Sequence, residues 1–135
     1  MDDCVFCKIV AGEIPSHRVY EDDLTIAFMD IGQVNPGHVI VAVRRHAETI
    51  LDLTQDEAAA AFRTTHGVAS AVEAAFEPEG FTVLQANRRA GFQTVPHFHL
   101  HVLPRHTDDG VTLTWPAKNP PAEQLAEYAA MIKMG

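Results

Sequence analysis

The chain has 135 residues, of which 47% are hydrophobic, and a formal net charge of −8; this predicts one globular domain over residues 1–135 with a proper hydrophobic core. The acidic charge argues against a nucleic acid or an anionic membrane surface as partner, because either requires a basic face. No apolar stretch is long enough to span a membrane and no signal-peptide pattern is present, so we expect a soluble, cytoplasmic protein.

Cys4 and Cys7 form a CxxC pair near the start of the chain. A redox pair would place this motif at the start of a helix that follows a strand, and almost no sequence precedes it here. A structural disulfide would not persist in a reducing compartment. A zinc site would need two further ligands from elsewhere in the chain. The pair alone therefore leaves a redox, a disulfide and a metal interpretation open.

The next segments are short runs rich in β-branched and aromatic side chains. Residues 17–20 and 25–29 flank a short acidic turn, which predicts a β-hairpin. The Asn-Pro-Gly sequence at residues 35–37 predicts a tighter turn. The run at residues 38–43 predicts a third strand that is buried on both faces or nearly so.

Thr54 and Glu57 have the spacing of a capping box, which predicts a long helix over about residues 55–76. Its apolar residues recur at helical spacing and predict a buried stripe that serves the core and dimer contacts: Ala58, Phe62, Thr65, Ala69, Val72 and Phe76. Residues 80–86 predict a fourth strand. Short strands with one long helical crossover indicate an α+β fold built on an antiparallel sheet.

The most informative stretch is residues 97–103, in which three histidines alternate with large apolar side chains. This period of two predicts a strand with His97, His99 and His101 on one face, about 6.5–7 Å apart, and the apolar residues on the other. A single histidine on a strand is usually an ordinary core or surface residue. Three in register are costly to bury unless they bind something, such as a metal or an anion.

This stretch resembles the signature of the histidine triad (HIT) nucleotide-binding family, and the resemblance extends over about the first 105 residues. It includes the CxxC pair, the Asn-Pro-Gly-His sequence at residues 35–38 and the Leu-Pro-Arg sequence at residues 103–105. The resemblance implies an α+β, HIT-like fold with a five-stranded antiparallel sheet, one long crossover helix and a short C-terminal helix, in a homodimer. Residues 106–135 are less covered by it.

The resemblance also implies a mechanism. His99 would attack the α-phosphorus of a nucleotide ester, anhydride or phosphoramidate, and water would cleave the resulting nucleotidyl-histidine. His101 would contact phosphate oxygens and help to protonate the leaving group, while His97 holds the strand and His38 lies close by as a fourth histidine. No Walker loop or acidic Mg²⁺ cluster is evident, so we expect no catalytic metal.

A purine nucleotide site follows from the same resemblance. Its apolar base slot would be formed by Val5, Phe6, Ile9, Phe28 and Ile31. Asp30 would accept hydrogen bonds from the ribose hydroxyls, and Asn87, Gln93 and Thr94 would donate to phosphate oxygens. Taken singly, the apolar residues would be read as core and Asp30 as a turn residue.

The zinc-containing, Hint-like branch of the family pairs the CxxC motif with a histidine after the third strand and with the first triad histidine. Both positions are histidine in this sequence, His46 and His97. The resemblance therefore implies a zinc ion held by Cys4, Cys7, His46 and His97. Four protein ligands leave no position for water or substrate, so this zinc would be structural.

The sequence departs from the family pattern in the loop before the triad. Only Gly91 remains of several glycines, and Arg88-Arg89 stands where small or acidic residues are usual. We expect this change to alter the shape of the pocket and its leaving-group preference, and to add cationic attraction for a longer polyphosphate. Other candidate cations for a phosphate are Arg44, Arg45 and Arg105, although scattered surface charge is an alternative explanation for each.

The tail reads as an extended segment at residues 110–116, followed by a short helix that begins at Pro120-Pro121 and reaches about residue 131. Trp115 is either a packing residue or, as in related dimers, a residue that reaches toward the partner's active site. Three functions remain open: a purine nucleoside phosphoramidate hydrolase, a dinucleoside polyphosphate hydrolase, and a nucleotide-binding module with negligible turnover.

Overall fold

The computed structural model of the protein describes residues 3–134. It is built on a five-stranded sheet with the order β1-β2-β3-β5-β4, in which every pair of neighbouring strands is antiparallel. The strands are β1 (Arg18–Glu21), β2 (Thr25–Met29), β3 (Val39–Val43), β4 (Gly80–Gln85) and β5 (His99–Arg105). The helices are α1 (Val5–Val10), α2 (Gln55–Phe76) and α3 (Ala122–Met131). The α+β fold predicted from the sequence is confirmed.

The two faces of the sheet are covered by different helices. Val68 and Val72 of α2 pack on one face in a cluster with Val41 of β3 and Val102 of β5. On the other face, the short helix α1 places Phe6 against the sheet, in a separate cluster. All five residues of β3 are buried as a result, which confirms that this strand is covered on both sides.

The long helix begins at its capping box and covers the predicted range. The Thr54 hydroxyl accepts from Glu57 N, and the Glu57 carboxylate accepts from Thr54 N, so both partners of the capping box are satisfied. The predicted buried stripe is only partly correct, because Phe62 is 64% exposed and Phe76 is 45% exposed, and Ala58 is exposed as well. The residues that face the sheet are instead centred on Ala60, Ala61, Thr64, Thr65, Val68 and Val72.

The shift of this stripe has a physical cause. Small residues at Ala60, Ala61 and Thr64 let the helix lie close to the sheet, and the larger side chains are turned outward. A pattern of apolar residues at helical spacing does not distinguish the surface that packs on the chain's own sheet from a second, exposed apolar surface.

Helix α1 was not predicted from the sequence. Cys4 is its N-cap, with Sγ accepting from Cys7 N at 3.3 Å, and Phe6 and Ile9 point into the core. Their spacing of three residues was the available signal, but six residues are too few to establish a helical period. The helix places both thiols beside the segment that leads into β5.

A glycine turn precedes β3, and the C-terminal helix lies outside the buried core. Gly37 adopts a φ of +99°, a conformation that glycine alone tolerates readily, and this sharp turn starts β3. Beyond β5, helix α3 contains no buried residue. Across residues 3–134, no helix combines the length and the hydrophobicity needed to cross a membrane.

Candidate functional site

The triad histidines lie on the face of the sheet that α1 covers. The rings of His99 and His101 are neighbours, with centroids 5.0 Å apart, and Phe6 of α1 meets the His99 ring edge-on at 4.9 Å. His97 precedes β5 instead of starting it, and it is fully buried. Phe98, Leu100 and Val102 lie on the opposite face among the residues that α2 covers. The alternation that the sequence predicted is therefore present.

The ring of His99 has a fixed tautomer. Its Nδ1 lies 2.7 Å from the carbonyl oxygen of His97, and a carbonyl can only accept, so Nδ1 carries the proton. In the neutral ring, Nε2 then keeps its lone pair. Burial lowers the pKa of His99, opposed by the hydrogen bond to His97. The ring is therefore neutral near pH 7 and has the electronic state that a nucleophile requires.

A backbone hydrogen bond also fixes the tautomer of His38. The backbone N–H of Val34 donates to its Nδ1 at 3.3 Å, so in the neutral ring the proton is on Nε2. That Nε2 lies 2.9 Å from Nδ1 of His101 and 3.3 Å from Oδ2 of Asp30. His38 therefore donates to His101, and the remaining proton of the neutral His101 ring is on its own Nε2.

Burial and the Asp30 charge shift the pKa values of His38 and His101 in opposite directions. Burial lowers the pKa of His38 and of His101, and the Asp30 carboxylate opposes both shifts. The two rings are therefore neutral near pH 7, and each carries a single proton, on Nε2. The neighbouring rings of His99 and His101 therefore differ at Nε2. His99 has a lone pair there and can accept a proton or form a bond, whereas His101 has an N–H there and can donate a hydrogen bond.

The residues of the proposed base slot divide into two groups. Phe6, Ile9 and Phe28 are buried and belong to the core cluster under α1, whereas Val5 is partly exposed and Ile31 is 98% exposed. Oδ1 of Asp30 accepts from Gly32 N at 2.7 Å, and its Oδ2 faces His38. Ile31 therefore lies in solvent beside Asp30, and of the buried residues Phe6 packs edge-on against both Phe28 and His99.

Two of the predicted phosphate ligands already have partners within the chain. Gln93 accepts from Arg88 N at 2.7 Å and donates to the Glu48 carbonyl at 2.5 Å. Asn87 accepts from Ile50 N at 2.8 Å. These amides shape the loop before the triad, so their direct donation to phosphate would require them to exchange partners. Thr94 is exposed and lines a cavity of about 310 Å³ beside Cys4 and His46.

The four predicted metal ligands are brought together from three separate segments. The ligand atoms of Cys4, Cys7, His46 and His97 all lie within 4.8 Å of one another. Nδ1 of His97 is 3.3 Å from Cys4 Sγ, and Nδ1 of His46 is 3.3 Å from Cys7 Sγ. Tetrahedral zinc with bonds of about 2.0–2.3 Å separates its ligand atoms by about 3.3–3.8 Å.

The chemistry of this cluster also fits a metal ion. Nε2 of His97 lies 2.6 Å from the Val43 carbonyl oxygen and so donates to it, which leaves Nδ1 of the neutral ring with a lone pair turned toward the thiols. Burial, followed by the neighbouring Cys4, raises the pKa of the Cys7 thiol to about 11. A bound cation would lower that pKa and supply the missing charge compensation.

Most of the candidate phosphate-binding arginines are engaged elsewhere. Arg44 pairs with Glu21, Arg45 with Glu57, and Arg105 with Asp109 at 2.7 Å. Within residues 3–134, the guanidinium groups of Arg88 and Arg89 make no hydrogen bond or ion pair with another side chain or with the backbone. These two remain as the cations available to a ligand in the loop before the triad.

Sequence reasoning missed the groups that set the tautomers. The carbonyl oxygens of His97 and Val43 and the N–H of Val34 are backbone atoms. Side-chain identity carries no signal for them, and only the folded register brings them to the imidazoles.

Comparison with known proteins agrees with this geometry. The HIT domain family matches residues 11–108, and the chain belongs to this family. It is 40% identical over 115 residues to the Bacillus subtilis relative named "Protein hit", covering 84% of this chain and 79% of that protein. It is 35% identical over 115 residues to an adenosine 5′-monophosphoramidase of Schizosaccharomyces pombe, covering 84% of each.

Solved structures show the same fold. The crystal structure of a HIT family protein from Bacillus anthracis superposes with a TM-score of 0.92 at 38% identity, covering 96% of this chain and 94% of that one. A zinc-bound histidine triad family protein from Mycobacterium smegmatis superposes with a TM-score of 0.77 at 28% identity, covering 97% and 99%.

Proposed function

We propose that the protein is a nucleotide hydrolase that acts at the α-phosphate through a covalent nucleotidyl-histidine on His99, with purine nucleoside phosphoramidates as substrates. The hydrogen bond from Nδ1 of His99 to the His97 carbonyl carries this proposal, because it leaves a lone pair on Nε2. The adenosine 5′-monophosphoramidase named above and an adenylylsulfatase of Arabidopsis thaliana, 32% identical over 108 residues, support a nucleotide substrate.

The proposed reaction has two steps. Nε2 of His99 forms a bond to the α-phosphorus as the bond from phosphorus to the amine nitrogen breaks. The amine nitrogen takes up a proton from solvent as it leaves, and the Nε2–H of His101 donates a hydrogen bond to that nitrogen. Water then adds to phosphorus, the bond to His99 breaks, and one proton of the water is released to solvent. The products are a nucleoside monophosphate and an amine, and both histidines regain their starting protonation.

The remaining residues would position the nucleotide. The ribose hydroxyls would donate to the Asp30 carboxylate, whose Oδ2 accepts no backbone donor among residues 3–134. The base would lie against Ile31 and Val5, above the buried rings of Phe6 and Phe28 and the side chain of Ile9. Thr94 and the backbone of the loop before the triad would stabilise the charge on the phosphoryl oxygens, with Asn87 and Gln93 exchanging partners to contribute.

Incubation with adenosine 5′-phosphoramidate tests this function. We expect release of AMP, and rapid quenching in alkali should trap a protein adduct heavier by one adenylyl group, located at His99 by peptide mapping. His99→Ala should abolish both, whereas His66→Ala, which removes an exposed histidine of α2, should change neither. AMP release by His99→Ala at the wild-type rate would contradict the proposal.

A dinucleoside polyphosphate is the second candidate substrate. The guanidinium groups of Arg88 and Arg89 favour it, because they make no hydrogen bond or ion pair in the part of the chain that the structure describes. If wild-type protein binds AMP but turns over neither this substrate nor the phosphoramidate, the third candidate, a binding module with negligible turnover, is correct instead.

We also propose that Cys4, Cys7, His46 and His97 bind structural zinc. The convergence of two thiols and two imidazoles supports this assignment, as does the zinc-bound relative from M. smegmatis. The ion would tie α1 and the segment after β3 to the start of the triad strand. No step of the reaction involves it, and no catalytic metal is proposed.

A homodimer is proposed as the working state. β4 is an edge strand, and its residues Phe81 and Val83 are partly exposed. Phe62 on α2 is also exposed, and Trp115 is 81% exposed. These exposed apolar side chains support a surface that a second copy of the chain would cover. Light scattering after size exclusion would give the mass. Trp115→Ala should alter the preference among leaving groups if this residue reaches the partner's site, and an unchanged preference would refute that role.

A further inference from the structure

An elongated groove runs beside α2, on the face of the sheet opposite the histidine cluster. Its volume is about 490 Å³, which lies in the range of small-molecule sites. The α2 wall extends from Arg63 to Phe76, so the groove is about 20 Å long at 1.5 Å per helical residue. The opposite wall includes Val19 and Tyr20 of the edge strand β1, and all four residues of this strand are exposed.

The floor and the helical wall of the groove are apolar. Val39, Val68 and Val72 form the floor, and they belong to the core cluster that α2 makes with the sheet. The helical wall is smooth, because small residues recur along it at every fourth position: Gly67, Ala71 and Ala75. A linear apolar chain laid along this surface would therefore be stabilised by the removal of apolar area from water.

One end of the groove carries a cation. Among the residues that the structure describes, the guanidinium group of Arg63 makes no hydrogen bond and no ion pair. The hydrogen bond to Asp22 raises the pKa of Tyr20, and the nearby positive charge of Arg63 opposes this shift. The Asp22 carboxylate accepts from the Tyr20 hydroxyl, from Leu24 N and from both donors of Thr25. It is therefore satisfied without Arg63, which a ligand can reach.

The other end of the groove has no charged lining residue. Phe76 lies there against Gly37, since a Cβ added to this glycine would be 2.8 Å from Cδ2 of the ring. The groove thus has a cation at one end and an aromatic ring at the other. Because the chain carries a net charge of −8, it does not attract anions in general, and an anion would depend on the local contact with Arg63.

We propose that this groove binds a medium-chain alkyl carboxylate, with the carboxylate on the guanidinium group of Arg63 and the tail along α2 toward Phe76. The planar guanidinium can donate two parallel hydrogen bonds to a carboxylate, and the valines of the floor contact the tail. The histidine cluster lies on the other face of the sheet, so this inference does not depend on the proposed function.

Isothermal titration calorimetry with octanoate tests the site. We expect saturable binding of one octanoate per chain. Hexanoate should bind about tenfold more weakly, because two fewer methylene groups are buried. Octanol, which keeps the tail but lacks the charge, should also bind about tenfold more weakly. Raising the salt concentration to a physiological level should weaken the binding of octanoate and leave that of octanol unchanged.

Two matched pairs of variants separate the groove from the remaining surface. Arg63→Gln should weaken octanoate about tenfold and leave octanol unchanged, whereas Lys118→Gln, which removes an exposed cation of the tail, should change neither. Ala71→Leu fills the groove from its helical wall and should abolish the binding of both. Ala74→Leu adds the same side chain to a position of α2 that does not line the groove and should have no effect. Both alanines are exposed, so thermal unfolding without ligand should show that these variants fold.

Several outcomes would refute the proposal. It is wrong if octanoate does not saturate at one per chain, or if Ala71→Leu protein binds it as wild type does. Equal binding of octanoate and octanol by wild type would exclude the contact with Arg63. If octanoate does not bind and Ala71→Leu alone lowers the mass in light scattering, a second copy of the chain occupies the groove instead. None of these results affects the release of AMP, which tests the proposed function separately.

Discussion

Nδ1 of His99 lies 2.7 Å from the carbonyl oxygen of His97, the residue two positions earlier in the chain. The contact uses only backbone that the triad stretch itself supplies, so the proposed nucleophile needs no separate side chain to fix its tautomer. His38 completes the arrangement from the neighbouring strand end, where the Val34 N–H fixes its ring and its Nε2 donates to His101. Backbone groups therefore set the tautomers of His99 and His38, and His38 in turn sets that of His101.

His38 should act as a positioning residue for His101. We expect His38→Ala to lower kcat on adenosine 5′-phosphoramidate about 100-fold, because His101 loses the donor that keeps its Nε2 protonated. KM should change little, since the nucleotide does not depend on this bond. His38→Gln, whose amide can also donate, should recover part of kcat. Steady-state kinetics of the three proteins provide the measurement.

A loss that appeared only in KM, or equal losses in the Ala and Gln variants, would show that His38 acts through packing alone. His17→Ala, which removes an exposed histidine before β1, serves as the control for a general effect of losing an imidazole.

The cysteine-histidine cluster should retain about one zinc ion per chain through purification, measured by elemental analysis. Removal by a chelator should lower Tm, because the ion would link three separate segments of the chain. In Cys4→Ser/Cys7→Ser protein the metal should be absent, and a chelator should cause no further change in Tm. Cobalt substitution should give the absorption of tetrahedral thiolate coordination. Metal-free wild type with an unchanged Tm would refute the site.

Gly37 should be sensitive to a single methyl group. A Cβ there would lie 2.8 Å from Cδ2 of Phe76, and the residue also has φ +99°. Gly12 has φ +81°, and a Cβ added to it would meet no atom within 4 Å, so it provides the matched control for backbone strain alone. We expect Gly12→Ala to cost about 1 kcal/mol and Gly37→Ala about 1–3 kcal/mol more, measured by urea unfolding.

If the two glycine variants lost equal stability, the contact with Phe76 would not contribute. The double variant Gly37→Ala/Phe76→Ala tests the contact in the other direction, because removing the ring should recover part of the loss.

Most of the fold could be predicted from the sequence, because the strongest sequence patterns depend on residues that are close together in the chain. The capping box at Thr54 and Glu57 sets the start of α2, and the alternation of histidines with apolar residues sets the faces of β5. The boundary of β5 was misplaced by two residues because His97 N bonds the nearby Val95 carbonyl instead of joining a ladder. The exposure of Phe62 could not be predicted, because its position relative to the other apolar residues of α2 is that of a core residue.

The candidate site likewise has parts that the sequence predicted and parts that it did not. The set of metal ligands came from the resemblance to a family, and the fold brings its four members together. The partners of Gln93 and Asn87 could not be foreseen, because both amides bond to backbone of a distant segment, at Glu48 and Ile50. The positive φ angles of Arg88 and Phe92 are likewise a property of the folded loop, for which the loss of family glycines was the only signal.

Glu57 should make stability depend on acid pH. This residue is 4% exposed, and its carboxylate accepts from Arg45 at 2.8 and 2.9 Å; these bonds to Arg45 are the main reason that its pKa falls from 4.5 to about 2. A lowered folded-state pKa stabilises the protein fully above the unfolded value near 4.5, and this contribution disappears as pH falls through about 2. Glu57→Gln keeps a capping side chain but removes the charge.

The difference in unfolding free energy between wild type and Glu57→Gln should therefore be about 2 kcal/mol at neutral pH and shrink steadily between pH 4.5 and about 2. Arg45→Gln should lose most of this pH dependence, because it removes the main partner that lowers the pKa of Glu57, while the hydrogen bonds from Thr54 keep the rest. Urea unfolding across this range gives the curves. Parallel curves for wild type and Glu57→Gln would mean that the buried carboxylate gains nothing from Arg45 in the folded state.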